Sequence, residues 1–202
     1  FDVFQFVDKL ERKYRNLPLH GITSSNEQFG ALVGALLARK LGLPGADPKS
    51  LIAAQHKFVA RRILERDVPE ANVAFHAFPY TFQSADEIPL KFPYYVKPVK
   101  AAYSVLARRV DNFDELQEHM TFHPWEKYII KRLVRPFNDV VRKLTDFDVD
   151  AHWMLAEELI DGHQINVDGV VINGEIHMLG IIDAVMYPGT DQFMRFEYPT
   201  RL

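Results

Sequence analysis

Apolar and polar positions alternate along this chain with two different periods, a helical one over the first part and a strand-like one over the last third. Over residues 2–15, Val3, Phe6, Val7, Leu10 and Tyr14 recur at helical spacing with Asp8, Lys9, Glu11 and Arg12 on the opposite face, which predicts an amphipathic helix. A short strand, Leu19 to Thr23, is expected next. Ser24 or Ser25 is placed to cap a second helix carrying Phe29, Leu32, Val33, Leu36 and Leu37, with Gly42 and Pro44 as its stop. That order of helix, strand and helix belongs to open parallel sheets, here without the first strand.

Asp47-Pro48 sets a cap followed by proline at the first helical position, and helical stretches follow through Lys57 to about Glu65. Pro69 ends them. Val73 to Phe78 reads as an apolar strand, and Pro79 to Pro89 as a loop where the composition shifts. Phe92 to Val99 has strand character, with Ser104 to Val110 as its antiparallel partner. Asn112 and Glu115 form a capping-box pattern before a short helix. Trp125, Ile129, Leu133, Phe137, Val140 and Leu144 mark one face of a longer helix, in which Pro136 should produce a kink or an early end. The last third is β: Trp153 to Ile160, Gln164 to Ile172, then Asn173-Gly174 as a hairpin turn, then Glu175 to Tyr187.

Composition narrows the class without naming it. The chain has 202 residues, 48% of them hydrophobic, enough for one or two domains with a sizeable core. A net charge of −3, from 24 basic and 27 acidic residues, gives no global reason to expect nucleic acid or an anionic membrane as partner. The absence of cysteine excludes disulfides, thiolate catalysis and cysteine-ligated zinc, and leans toward a cytoplasmic setting. No apolar run approaches the roughly 20 residues of a membrane span. The opening Phe1-Asp2-Val3-Phe4-Gln5-Phe6 lacks the order of a signal peptide, and a first residue other than Met suggests that translation starts elsewhere.

Three segments far apart in sequence carry the candidate chemistry. Lys57 sits in Ala-Ala-Gln-His-Lys-Phe at a helical stretch. Lys97 lies inside the apolar strand Tyr-Tyr-Val-Lys-Pro-Val, where a buried ammonium costs several kcal/mol unless an anion faces it. Met154-Leu-Ala-Glu157-Glu158-Leu159-Ile160 is an apolar strand ending in two carboxylates, and such a strand end can offer backbone N–H and C=O groups to an adenine edge. Taken singly, Lys97 reads as a lysine that guards a sheet edge, and Glu157 and Glu158 as a solvated strand end. The eight histidines give no zinc reading, since His119 and His123 lie four apart in a stretch broken by Pro124. The basic run Lys127, Lys131, Arg132, Arg135, Arg142 and Lys143 reads as a solvated helix face rather than a nucleic-acid site.

Together, the order Lys57, Lys97, Glu157-Glu158-Leu159-Ile160 and then a β-hairpin resembles the ATP-grasp superfamily from about residue 20 to the end. The spacing is similar to that of biotin carboxylase and of carboxylate–amine ligases such as D-alanine–D-alanine ligase. The resemblance implies an α/β (α+β) chain in four parts: residues 1–48 as a partial parallel α/β domain, 49–91 as connecting helices and strand, 92–160 as the small ATP-grasp subdomain, and 161–202 as the start of the larger one. It implies that Lys57 and Lys97 contact phosphates and that Glu157 accepts from the adenine amino group. Glu158, Leu159 and Ile160 would give backbone contacts to adenine, and Gln164 or its neighbour His163 would hold the ribose.

Two departures qualify that expectation. The family's glycine-rich lid is replaced by Lys100-Ala-Ala-Tyr-Ser104-Val-Leu, where Ser104 and Lys100 can still donate to phosphate but the backbone is stiffer. The family's magnesium ligands, an acidic strand residue and a Glu-x-Asn pair, are expected beyond residue 202, so the chain alone is expected not to turn over. By the resemblance His177 and Asp183 point from the second hairpin strand toward the cleft over the nucleotide, and Asp183, a carboxylate in an apolar run, needs a partner, either a structural salt bridge or a substrate contact. The implied cofactors are ATP and Mg²⁺, and the implied partner a small carboxylate, with a homodimer left open. The readings carried forward are an ATP-dependent ligase, a biotin carboxylase-like enzyme and a non-catalytic nucleotide-binding module.

Overall fold

The computed structural model describes residues 1–101, 105–190 and 193–201. They divide into two compact units, Phe1–Leu159 and Ile160–Leu202. The first unit holds helices α1 (Val3–Tyr14), α2 (Phe29–Leu41), α3 (Pro48–Gln55), α4 (Lys57–Asp67), α5 (Phe113–Met120) and α6 (Pro124–Leu144). It also holds strands β1 (Phe75–Phe78), β2 (Tyr94–Pro98), β3 (Arg108–Val110) and β4 (Met154–Glu158). The second unit is a meander of β5 (Ile165–Ile172), β6 (Glu175–Met186) and β7 (Phe193–Glu197).

The helix ends follow local chemistry. The Asp2 carboxylate accepts from the backbone N–H groups of Phe4 and Gln5, and that of Asp47 from Ser50, ahead of Pro48. Gly42 closes α2 in the left-handed conformation at φ 67°, which glycine adopts without steric cost. The start of α2 differs from expectation. Neither Ser24 nor Ser25 caps it; Asn26 Oδ1 accepts from Gly30 N at 3.0 Å, while Ser24 Oγ accepts from Asn26 N at 3.1 Å.

The predicted strand Leu19 to Thr23 does not form. Residues 18–24 pair with no strand among the described residues, Leu19 N turns back to Leu17 O, and Ile22 packs against the helical core instead. Extended chain without a neighbour has no ladder to hold it. Pro136 also neither ends nor shortens its helix, since α6 runs through it to Leu144.

The first unit's sheet has the order β1-β4-β2-β3 and is antiparallel throughout. Side chains alternate across it, so β1 and β4 each serve two cores. Tyr94, Val96, Met154, Ala156 and Phe78 face one core with Ile88, Val110, Leu116 and Met120. Ala77 and Leu155 face the other, with Val3, Val7, Leu32, Leu36, Ile52, Phe137 and Val140 from the helices. Lys97 and Glu157 belong to this helical side, because Tyr95 pairs with Glu157 and Lys97 with Leu155.

In the second unit, Asn173 (φ 53°) and Gly174 (φ 86°) make the tight turn between β5 and β6, as an Asn-Gly pair between apolar runs predicts. Asp183 is buried there. Its carboxylate accepts from Thr200 Oγ1 at 2.5 Å and Arg201 N at 3.1 Å, and His163 Nε2 lies 3.3 Å away. Those contacts satisfy the partner demanded by its apolar surroundings and hold the carboxyl below its ordinary range. No helix among the described residues is long and apolar enough to cross a membrane.

Candidate functional site

The break between α3 and α4 sets the site. His56 interrupts the helical path with φ −95° and ψ 93°, and its ring is fully buried. Nδ1 accepts from Val59 N at 3.4 Å, Nε2 meets Val149 O at 3.0 Å, and the ring packs between Phe137 and Phe147. One residue later Lys57 N donates to Val99 O at 3.2 Å, so α4 begins where β2 ends. Lys57 and Arg61, one helical turn apart, then share the face of α4 that meets the sheet.

Glu157 is the focus. Arg61 Nε donates to its Oε1 at 2.7 Å, and Lys97 pairs with its Oε2 across the β2–β4 ladder. The side chains are only 6% exposed for Glu157, 15% for Arg61 and 23% for Lys97, so the ions meet largely out of water. Burial pushes the Glu157 carboxyl up, but the hydrogen bonds and charges of Arg61 and Lys97 outweigh it and the group sits below its ordinary value. Arg61 is itself held: NH1 donates to Asn72 Oδ1 and Asn72 Nδ2 donates back to Arg61 O, both at 3.2 Å.

Two further lysines stand beside this group. Lys57 Nζ donates to Ala101 O at 2.9 Å. Lys100 is buried and donates to Gln28 Oε1 at 2.5 Å and Gln55 Oε1 at 2.9 Å, with its ammonium 4.7 Å from the centre of the Phe137 ring. Burial, and next the charge of Lys97, push Lys57 down to about 8. Burial, and next the charge of Lys57, do the same to Lys100. Arg61 and Lys97 therefore meet at one buried carboxylate with Lys57 close by, and Lys100 stands beside Lys57 on amide partners of its own.

This arrangement gives a pH signature. With an ordinary value of 10.5 in the unfolded chain and about 8 in the fold, Lys57 and Lys100 leave the unfolded state holding more protons between those limits. Stability therefore rises with pH across that window and is lost again as pH falls through about 8. Above pH 10 the opposite trend sets in, because burial pushes Tyr80 and Tyr94 up to about 12. Thermal melts at pH 8 and pH 10 should show a more favourable change for the wild type than for Lys100→Met; equal changes would remove Lys100 from this account.

The sequence-predicted residues are thus partly gathered. Lys57, Lys97 and Glu157 come together, and the anion that Lys97 requires is Glu157 of the same chain. Arg61 was not predicted, although its position four residues after Lys57 on a helix is the signal that could have found it. Glu158 is exposed, and its N–H donates to Ala74 O at 2.9 Å, so Leu159 and Ile160 are the residues that pass beyond both ladders of β4. Gln164 begins the second unit's sheet, where its C=O accepts from Ala184 N at 3.0 Å and its side chain is exposed. Ser104 lies outside the described residues. His119 Nε2 meets Leu106 O at 3.1 Å, a structural contact, and the basic residues of α6 named above lie on exposed positions. His177 is exposed, 3.9 Å from Glu175.

No protein-family model matches the chain, and no curated protein matches it in sequence. Solved structures do. An L-amino acid ligase from Bacillus licheniformis superposes with TM-score 0.68 at 24% identity, over 91% of this chain and 39% of that one. The VanG D-Ala:D-Ser ligase from Enterococcus faecalis gives 0.56 at 15% identity, over 83% and 45%. A phosphoribosylglycinamide synthetase from Anaerococcus prevotii gives 0.56 at 18%, over 100% and 44%. The chain has the ATP-grasp fold, as the order of Lys57, Lys97 and the Glu157 segment implies. It spans less than half the length of each of these three structures.

Proposed function

We propose that this chain is the ATP-binding part of an ATP-dependent ligase that activates a carboxylate as an acyl phosphate for capture by an amine or similar nucleophile. The observation that carries the reading is the excess of positive charge around one buried carboxylate: Arg61 and Lys97 paired with Glu157, Lys57 close to both, and buried Lys100 beside Lys57. Unbalanced buried charge is costly, and a polyphosphate supplies the missing anions. In this reading Lys57 and Lys97 hold phosphate oxygens. Glu157 accepts from the adenine amino group, and Leu159 and Ile160 lay main chain along the base. Gln164, or His163 beside it, takes the ribose by its place in the family motif.

The chemistry expected of these residues is electrostatic. Lysines already seated at the phosphates once the nucleotide is bound stabilise charge on a transferring phosphoryl group without reorganising during the step. Magnesium does not fit what is described: no group of three or more His, Asp or Glu side chains among the described residues is disposed to hold a metal ion, and Glu157 is committed to two cations. No step is assigned to it.

Titration calorimetry of the protein with ATP tests the binding half of the proposal, and Lys97→Ala should weaken that binding about tenfold or more, the loss of a charged hydrogen bond. Unchanged affinity would remove Lys97 from the phosphate site. The ligase half is tested by ADP release from Mg²⁺-ATP with pooled amino acids, with and without biotin, on the complete gene product. Release stimulated by amino acids supports the ligase, whereas binding without release leaves a nucleotide-binding module.

A further inference from the structure

We propose that Arg61 is a positioning residue for the base, orienting the Glu157 carboxylate toward an exocyclic amine and so setting a preference for 6-amino over 6-oxo purine nucleotides. This rests on the nucleotide reading above. Both oxygens of Glu157 are engaged, Oε1 by Arg61 and Oε2 by Lys97. The two cations are built differently. Lys97 carries a point charge on a flexible stem, and the same ammonium is required at phosphate. Arg61 is fixed from behind by its reciprocal bonds with Asn72, on the first turns of a helix whose start is anchored by buried His56. When Lys97 turns to phosphate, Oε2 is released and Arg61 remains.

The released oxygen is an acceptor only, because an ionised carboxylate has no proton to give. An exocyclic amine on the base donates to it. A 6-oxo group presents a second acceptor to a buried carboxylate, leaving both unpaired and repelling, which is the situation that gives strong discrimination between isosteric ligands. Arg61 takes part by keeping the carboxylate charged and aimed after its other partner has left, since burial alone drives Glu157 toward the protonated form. Four residues from Lys57 on one helix, it also ties the base end to the phosphate end.

The test compares dissociation constants of ATP, ITP and inorganic tripolyphosphate for the wild type, Arg61→Met, Arg61→Lys and Asn72→Ala. ITP differs from ATP in carrying the 6-oxo group, and tripolyphosphate reports the phosphate end alone. The wild type should bind ATP about 10- to 100-fold more tightly than ITP. Arg61→Met should lose most of that ratio, and Asn72→Ala, which loosens Arg61 without removing its charge, part of it. Arg61→Lys keeps the charge but not the fixed fork, and is expected between the wild type and Arg61→Met. Melting curves identify a variant that does not fold, in which case Asn72→Ala and Arg61→Lys decide. If ATP and ITP weaken together and their ratio persists in the folded variants, Arg61 is merely structural and the inference is overturned, as it is if the wild type does not distinguish the two. A wild type that binds neither ATP nor tripolyphosphate overturns the nucleotide reading instead.

Discussion

Replacing Glu157 with leucine is expected to destabilise the first unit by about 3–5 kcal/mol, the range for breaking a buried ion pair by removing one partner. The cost comes from what is left behind. Arg61 and Lys97 would face each other across an apolar side chain, with Lys57 adding a third positive charge nearby. Glu157→Gln should cost less, because its amide oxygen still accepts from Arg61. If the loss is electrostatic, Glu157→Leu combined with Arg61→Leu and Lys97→Met should recover much of it, since well-packed apolar replacements of buried ion pairs are often neutral or better. Urea unfolding monitored by circular dichroism provides the comparison. A loss under about 1 kcal/mol for Glu157→Leu would mean that water relieves the two cations, contrary to their low exposure.

Phe137→Ala should cost about 3–5 kcal/mol as well, by a different route. Phe137 is fully buried at the centre of the helical core, where its removal leaves a cavity rather than an uncompensated charge. Its ring also lies 6.4 Å from that of His56 and 4.7 Å from the Lys100 ammonium. Loss of the ring therefore loosens the start of α4 and Lys100 together. The same unfolding series reads the stability, and Phe137→Leu, which fills most of the space, should retain the larger part of it. A small effect of Phe137→Ala would mean that α6 collapses into the gap.

Most elements were legible because their signals are local. Gly42, Asp47-Pro48 and Asn173-Gly174 each fix a backbone conformation through their own chemistry, and each lies where that chemistry places it. The misreadings came where tertiary partners decide. Trp125, Ile129, Leu133 and Phe137 are each four apart, and at 3.6 residues per turn every such step drifts by about 40°, so the row winds off any single face. Phe137 is buried while Trp125, Ile129 and Leu133 are exposed; the covered face is Val134, Phe137, Asn138, Val140 and Val141. Strand β7 was not foreseen. The site shows the same division. Lysine in an apolar strand announced its need for an anion, but only the β2–β4 register sets Lys97 diagonal to Glu157.

The single-residue interruption at His56 also makes α4 a gauge. Lys57 and Arg61 are separated by four residues of regular helix, a rise of about 6 Å that no rotamer change alters. One end of that interval bonds the carbonyl of Ala101, and the other grips Glu157. The span between the two is thereby set by helical pitch rather than by loop conformation. An inserted residue between them would turn Arg61 away by about 100° and decouple the two ends at once.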